Sequence, residues 1–285
     1  AQLENYEMVR AQFEAYGARF NAEEPATGVI YWMLNTAWPS LNWHLYDYYL
    51  DPAGAYFGAK KANEPVHVQL AYDTAEVLVV NRTPAGVGGL VVDTTIRDVD
   101  GSEKSRQQSK IREIRSGASV SVGKAEVPDD ISTTYFVELA LSDSTGGAVS
   151  HNVYWLSTRP DVLDWEKTFW QHTPQSAYAD FTALQDLPVA TIEASTTSSS
   201  DLASGTTTVT LRNTSPSGTP AVGVHVSILA GRPATPLAPV LWDGNDVTLF
   251  GGQSAVLTAR YSAAGLRSAP LVQVEGFNLP EMIVS

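Results

Sequence analysis

Six residues within fifteen positions carry the clearest chemical signal in the chain: Trp32, Asn35, Trp38, Trp43, His44 and Tyr46. Flat indole and phenol rings stack on the apolar C–H faces of pyranose sugars, while amide, imidazole and hydroxyl neighbours bond the sugar hydroxyls. Asp47 lies among Tyr46, Tyr48 and Tyr49 and is the only carboxylate of this region placed to face a cleft. The candidate substrate-binding residues are therefore Trp32, Asn35, Trp38, Trp43, Tyr46 and Asp47. A retaining glycosidase needs two carboxyl groups about 5–5.5 Å apart. Glu23 and Glu24 precede the apolar run that follows and fall on its wrong side, so Asp47 has no partner and no catalytic residue is assigned. The same rings would also serve as packing for a scaffold, and both readings stand at this level.

Other chemistries find no support. The absence of cysteine removes disulfides, thiolate metal sites and thiol nucleophiles. The five histidines, His44, His67, His151, His172 and His225, include no pair at i, i+3 or i, i+4, so no metal site is expected. Asp98-Val99-Asp100-Gly101-Ser102-Glu103 is too short for a calcium loop and reads as a hairpin turn. No glycine-rich phosphate loop follows a strand and no nucleophile elbow occurs, so no cofactor is expected. The net charge of −13 lacks a basic nucleic-acid footprint. No apolar run reaches the roughly 18 residues of a membrane span. Asn81-Arg82-Thr83 and Asn213-Thr214-Ser215 match glycosylation acceptors but read as turns.

The elements that would position these residues fall into four stretches. Tyr6, Val9, Phe13, Tyr16 and Phe20 recur at helical spacing over residues 2–20, with Glu7, Arg10 and Glu14 on the other side. The continuous apolar run Val29–Leu34 predicts a strand buried on both faces, which sets Asn35 at its C-terminal mouth. A second helix is expected near 53–62. This α-β-α piece spans 1–64. Because the chain opens inside a helical pattern, it is expected to start partway through a larger protein. Seven short segments with period-2 alternation over 65–160 predict an immunoglobulin-like sandwich, and a second is expected over 188–285. There, Thr196–Ser200 reads as a polar turn. Between them, 161–187 is rich in aromatics (Trp165, Phe169, Trp170, Tyr178, Phe181) and is expected to pack along a neighbouring domain. The fold class is thus mainly β.

The stretches Gly28–Asn35, Trp38–Leu41 and Trp43–Leu50 resemble the last strand and loop of the catalytic barrel in family 2 glycoside hydrolases, most closely the exo-β-D-glucosaminidase branch. Tyr56–Pro65 is similar to the final barrel helix and the exit from it. Tyr178–Leu184 resembles the segment between the two C-terminal domains. Leu241-Trp242-Asp243-Gly244-Asn245 through Ser254 is similar to the W-x-D-N…L-x-P-G-E-S pattern of their sandwiches, with Gly251 and Gln253 departing from it in a turn. The resemblance implies a C-terminal α-β-α fragment of a (β/α)8 barrel followed by two immunoglobulin-like domains. It implies retaining removal of terminal β-linked glucosamine from chitosan oligosaccharides outside a bacterial cell, without a cofactor. Both catalytic carboxylates would lie in an upstream barrel portion, on the same or a separate chain, so the isolated chain is expected to be inactive. A β-mannosidase or β-galactosidase of the same family, and a non-catalytic carbohydrate-binding or adhesion sandwich, are the alternatives. The latter would require exposed rings on a sandwich face, for which only Trp155 and Trp242 are available.

Overall fold

The computed structural model describes residues 1–285 except 41–43, 232–233, 265 and 267. Helix α1 (Gln2–Gly17) is followed by an irregular stretch, helix α2 (Gly54–Ala62) and a first sandwich. One of that sandwich's sheets pairs β1 (Val66–Leu70), β2 (Glu76–Asn81) and β5 (Ala118–Lys124) in the order β1-β2-β5. The other runs β4-β3-β6-β7, from β3 (Val87–Asp98), β4 (Glu103–Ile114), β6 (Thr134–Ser142) and β7 (Ala148–Ser157). The alternating apolar residues of both sheets, among them Val68, Val79, Val92, Ile96, Val137 and Leu139, meet in one core. The Asp98–Gly101 segment is a hairpin turn, closed by Gly101 N–H to the Asp98 carbonyl, with Gly101 at φ +88°.

A hairpin of β8 (Val162–Leu163) and β9 (Gln175–Ala177) and a short 3-10 turn, Thr182–Leu184, lead into the second sandwich. Its first sheet has the order β10-β11-β16-β14, from β10 (Ile192–Ser200), β11 (Ser204–Asn213), β14 (Val240–Trp242) and β16 (Ser254–Ser262). The second has the order β13-β12-β17-β18, from β12 (Ala221–Ala230), β13 (Thr235–Pro236), β17 (Leu271–Gly276) and β18 (Leu279–Val284). β15 (Val247–Leu249) adds to β12. Trp242 is buried in this core, and Trp155 packs at the contact between the two sandwiches, so neither is a ring on an open sandwich face.

The expected strand Val29–Leu34 does not form. Its residues form irregular chain with bends at Trp32 and Leu34, and Ile30 is 98% and Leu34 61% exposed. A two-face-buried strand needs neighbours on both edges, and no strand lies beside this one among the described residues. Thr196–Ser200, expected as a turn, is the second half of β10. It is an edge strand paired along its length with β11, where Ser and Thr suffice because one edge and one face meet solvent.

Helix α1 ends earlier than its pattern suggests, at Gly17, and buries a different face. Tyr6, Val9, Arg10, Glu14 and Gly17 are buried, whereas Tyr16 is 44% exposed. The polar side faces the first sandwich because that surface offers a matching set of polar groups. Arg10 donates to Asn152 Oδ1 at 2.5 Å and to the Val153 carbonyl at 2.8 Å, pairs with Glu7, and lies 4.1 Å over the Tyr154 ring. Glu14 Oε1 accepts from Asn152 and from the Tyr154 hydroxyl and lies 2.9 Å from His67 Nε2. Buried charge is tolerated when paired and hydrogen-bonded in this way. The other side of the helix pair joins the second sandwich, since Tyr6 and Phe57 belong to its core.

Candidate functional site

The stretch between the helices is held by backbone bonds at two places. Tyr46 N–H donates to the Leu34 carbonyl at 2.9 Å, with Asn35 and Tyr46 bridged in parallel, and Ala53 N–H donates to the Leu45 carbonyl. Tyr46 packs on Tyr56 of α2 with ring centroids 5.1 Å apart. Burial, helped by the charge of Tyr56 and the hydrogen bond with it, pushes the Tyr46 hydroxyl up to about 12. Asp47 folds the next turn: its Oδ1 accepts from Tyr49 N–H at 2.7 Å and Asp51 N–H at 2.9 Å. This Asx-type turn leaves one oxygen of Asp47 committed to the backbone.

A cleft of about 1520 Å³ opens between α1, this loop, both sandwiches and the hairpin, and Asp47 lines it. Asp51 lines it as well, with His225, Asp246 and Glu275 from the second sandwich. His225 Nδ1 lies 2.9 Å from Asp246 Oδ1. Burial pulls the His225 imidazole down, but the Asp246 hydrogen bond and charge, with Asp51 and Glu275, outweigh it and raise its pKa. Burial, with Asp47 and Asp246 adding to it, raises the Asp51 carboxyl even against His225. The sequence reading missed this cluster. Its signal was available in the Asn245-Asp246 end of the Trp242 motif, where Asn245 clamps β12 through both Val226 backbone groups at 2.8 Å.

The six candidates therefore separate into two groups. Asn35, Tyr46 and Asp47 are brought together by the Leu34–Tyr46 bond, with Asp47 on the cleft. Trp32 and Trp38 stand at the surface, 74% and 68% exposed, and do not line the cleft. Trp43 lies outside the described residues. Trp32 and Trp38 are thus not sealed in a core. Beside them His44 is 4% exposed and neither of its ring nitrogens has a hydrogen-bond partner among the described residues. Among the described residues no group of three or more His, Asp or Glu is arranged to hold a metal ion, and no helix is long and apolar enough to cross a membrane.

The family model of the exo-beta-D-glucosaminidase Ig-fold domain matches residues 170–279. An exo-beta-D-glucosaminidase of Streptomyces avermitilis is 49% identical over all of this chain, which covers 32% of that protein. One from Amycolatopsis orientalis is 43% identical over 98% of the chain, covering 27% of that protein. The crystal structure of the Amycolatopsis orientalis exo-chitosanase CsxA superposes with a TM-score of 0.95 at 41% identity, over 99% of this chain and 34% of that one. A complex of the same enzyme with PNP-beta-D-glucosamine gives 0.94. Fold and matches together define a class, the immunoglobulin-like part of a glycoside hydrolase lineage. Within it the chain belongs to the exo-β-D-glucosaminidases and spans about a third of the length of the curated relatives it matches.

Proposed function

We propose that this chain is the C-terminal portion of a secreted, retaining family 2 exo-β-glycosidase that removes terminal glucosamine from chitosan oligosaccharides. In this reading α1, the run 29–34 and α2 are the last α-β-α piece of a (β/α)8 barrel, and the barrel's other strands cover Ile30 and Leu34. Trp32, Asn35, Trp38, Trp43, Tyr46 and Asp47 then form one wall of the sugar pocket at the C-terminal face of the barrel, where such folds place their chemistry. A carboxylic acid and a carboxylate from the upstream portion carry out protonation and attack through a glycosyl-enzyme. The residues of this chain bind and orient the terminal sugar; none is assigned to proton transfer or attack.

The observation that carries the reading is the exposed apolar run Val29–Leu34 ending at Asn35, next to uncovered indoles, in a chain matched end to end by proteins named exo-beta-D-glucosaminidase. The test is hydrolysis of a chromogenic β-glucosaminide. This chain alone is expected to give no turnover above background, and the chain joined to its barrel to release glucosamine from the non-reducing end. Turnover of a mannoside or galactoside in preference to the glucosaminide, or normal turnover by this chain alone, would reject the proposal.

A further inference from the structure

The aromatic segment expected to pack along a neighbouring domain does so only in part. Phe181, Leu184 and Leu187 join the contact between the sandwiches. Trp165, Phe169, Trp170 and Tyr178 do not, at 71%, 78%, 85% and 73% exposed. They sit on an ordered hairpin. β8 pairs with β9, Asp164 N–H donates to the Pro174 carbonyl at 2.8 Å, and Phe169 and His172 exchange backbone bonds at 2.8 and 2.9 Å. At its root, Asp161 Oδ1 accepts from Gln175 Nε2 at 2.7 Å and Ala179 N–H at 2.9 Å. Trp170 adopts φ +49°, a left-handed conformation uncommon for so large a residue, and presents the most exposed ring of the four. Four large rings held out in water on an ordered element mark a contact surface.

Two further observations select the occupant. Residues 161–187 carry five acids (Asp161, Asp164, Glu166, Asp180, Asp186) against one Lys167; Lys167 pairs with Asp164 and Arg159 with Asp180, and the remaining negative charge favours a cationic ligand. In addition, Leu163 and Gln175 at the hairpin root line the same cleft as Asp47 and Asp51. We infer that this hairpin is a second carbohydrate-contacting element, on which Trp165, Phe169 and Trp170 stack against the pyranose faces of a β-linked glucosamine oligomer while the surrounding carboxylates attract its ammonium groups. Ring stacking supplies contact over several sugars, and ammonium groups over an indole add a cation–π contribution. The hairpin extends the substrate contact past the terminal sugar, and in this it rests on the glucosaminidase reading.

The experiment titrates this 285-residue chain with a β-1,4-glucosamine hexamer at a pH that keeps its amines charged, read by calorimetry and tryptophan fluorescence. Saturable binding is expected, weakened about tenfold or more by the double substitution Trp165→Ala/Trp170→Ala, with the melting temperature unchanged because both rings are exposed. The N-acetylated hexamer and the glucosamine monomer are expected to bind more weakly than the charged hexamer. No binding, binding equal in the variant, or equal binding of the acetylated hexamer would overturn the inference. So would a variant that loosens the chain's association with its barrel, which would make the rings packing surface. In the barrel-containing enzyme the same variant is expected to leave hydrolysis of a p-nitrophenyl glucosaminide unchanged and to raise KM for the hexamer. Failure of the unsubstituted enzyme on the small substrate would reject the proposed function, whereas an unchanged hexamer KM in the variant would reject the hairpin alone.

Discussion

Glu138 of β6 collects three donors at the contact between the sandwiches. Arg97 Nε reaches its Oε2 at 2.7 Å, Gln253 Nε2 donates to its Oε1 at 2.6 Å, and His151 Nε2 lies 3.0 Å from Oε1. Burial pushes this carboxyl up, but the His151 hydrogen bond and charge and the Arg97 pair outweigh it and hold the group at about 2. A carboxyl depressed in the folded state stabilises above its unfolded pKa, near 4.5, and that contribution is lost as pH falls from there to about 2. Thermal melts between pH 5 and 2 should therefore fall more steeply for the unsubstituted chain than for Glu138→Gln; parallel curves would contradict this. Gln253 replaces the Glu of the related pattern, and here it lends an amide N–H to a carboxylate where a second carboxylate would repel it. Two asparagines form a repeated device. Asn81 ends β2 and Asn213 ends β11; both are fully buried, and each side chain bonds backbone carbonyls of the following turn and a neighbouring strand. Neither is available as a glycosylation acceptor. Replacing either with Ala leaves buried carbonyls unsatisfied and should cost about 1–3 kcal/mol in denaturant unfolding. The turn character of both tripeptides was readable from composition. Their burial was not, because it depends on strands far away in sequence.

At the scale of elements, sequence was informative where periodicity and packing coincide. The seven segments of the first sandwich correspond to its seven strands, although β1, β2 and β6 are buried along nearly their whole length rather than on alternate residues. It was uninformative where a strand needs few apolar residues. The first half of β4, Glu103 to Gln108, is a charged edge, and β10 is mostly Ser and Thr, so neither carried the pattern. It misjudged α1, whose buried polar face is specified by Asn152, Tyr154 and His67 rather than by the helix's own spacing. The candidate site divides along the same line. Asn35, Tyr46 and Asp47 were identifiable as a compact block in the sequence, whereas His225, Asp246 and Glu275, which share a cleft with Asp47, come from the second sandwich, far along the chain. The α1–α2 contact rests on absent side chains. A Cβ on Gly54 or Gly58 would collide with the backbone carbonyl oxygens of Gln2 or Tyr6. The smallest possible enlargement, Gly58→Ala, should therefore lower stability by about 1–3 kcal/mol despite Ala being the better helix former; a rise in melting temperature would refute the close packing.

At the scale of the whole molecule, apolar side chains stand uncovered in the stretch between the helices as well as on the hairpin. Ile30, Trp32, Leu34 and Trp38 cluster within nine residues and are each at least 61% exposed. Large apolar side chains exposed at this density are expected to bind a hydrophobic dye or self-associate. Anilinonaphthalene sulfonate fluorescence should rise with this chain and fall once the barrel portion is joined. Unchanged fluorescence on joining would mean that the run is not what the barrel covers. The two helices sit between two cores, giving Arg10 and Glu14 to one sandwich and Tyr6 and Phe57 to the other.

That shared ownership bears on how such proteins can be cut and recombined. The sequence suggests a seam at residue 65, where a designer would splice one enzyme's sandwiches onto another's barrel. A cut there would strip the second sandwich of two core rings and leave Asn152 and Tyr154 without their ionic partners. The inheritable module is the helical pair together with both sandwiches, and chimeras should keep all of it or none.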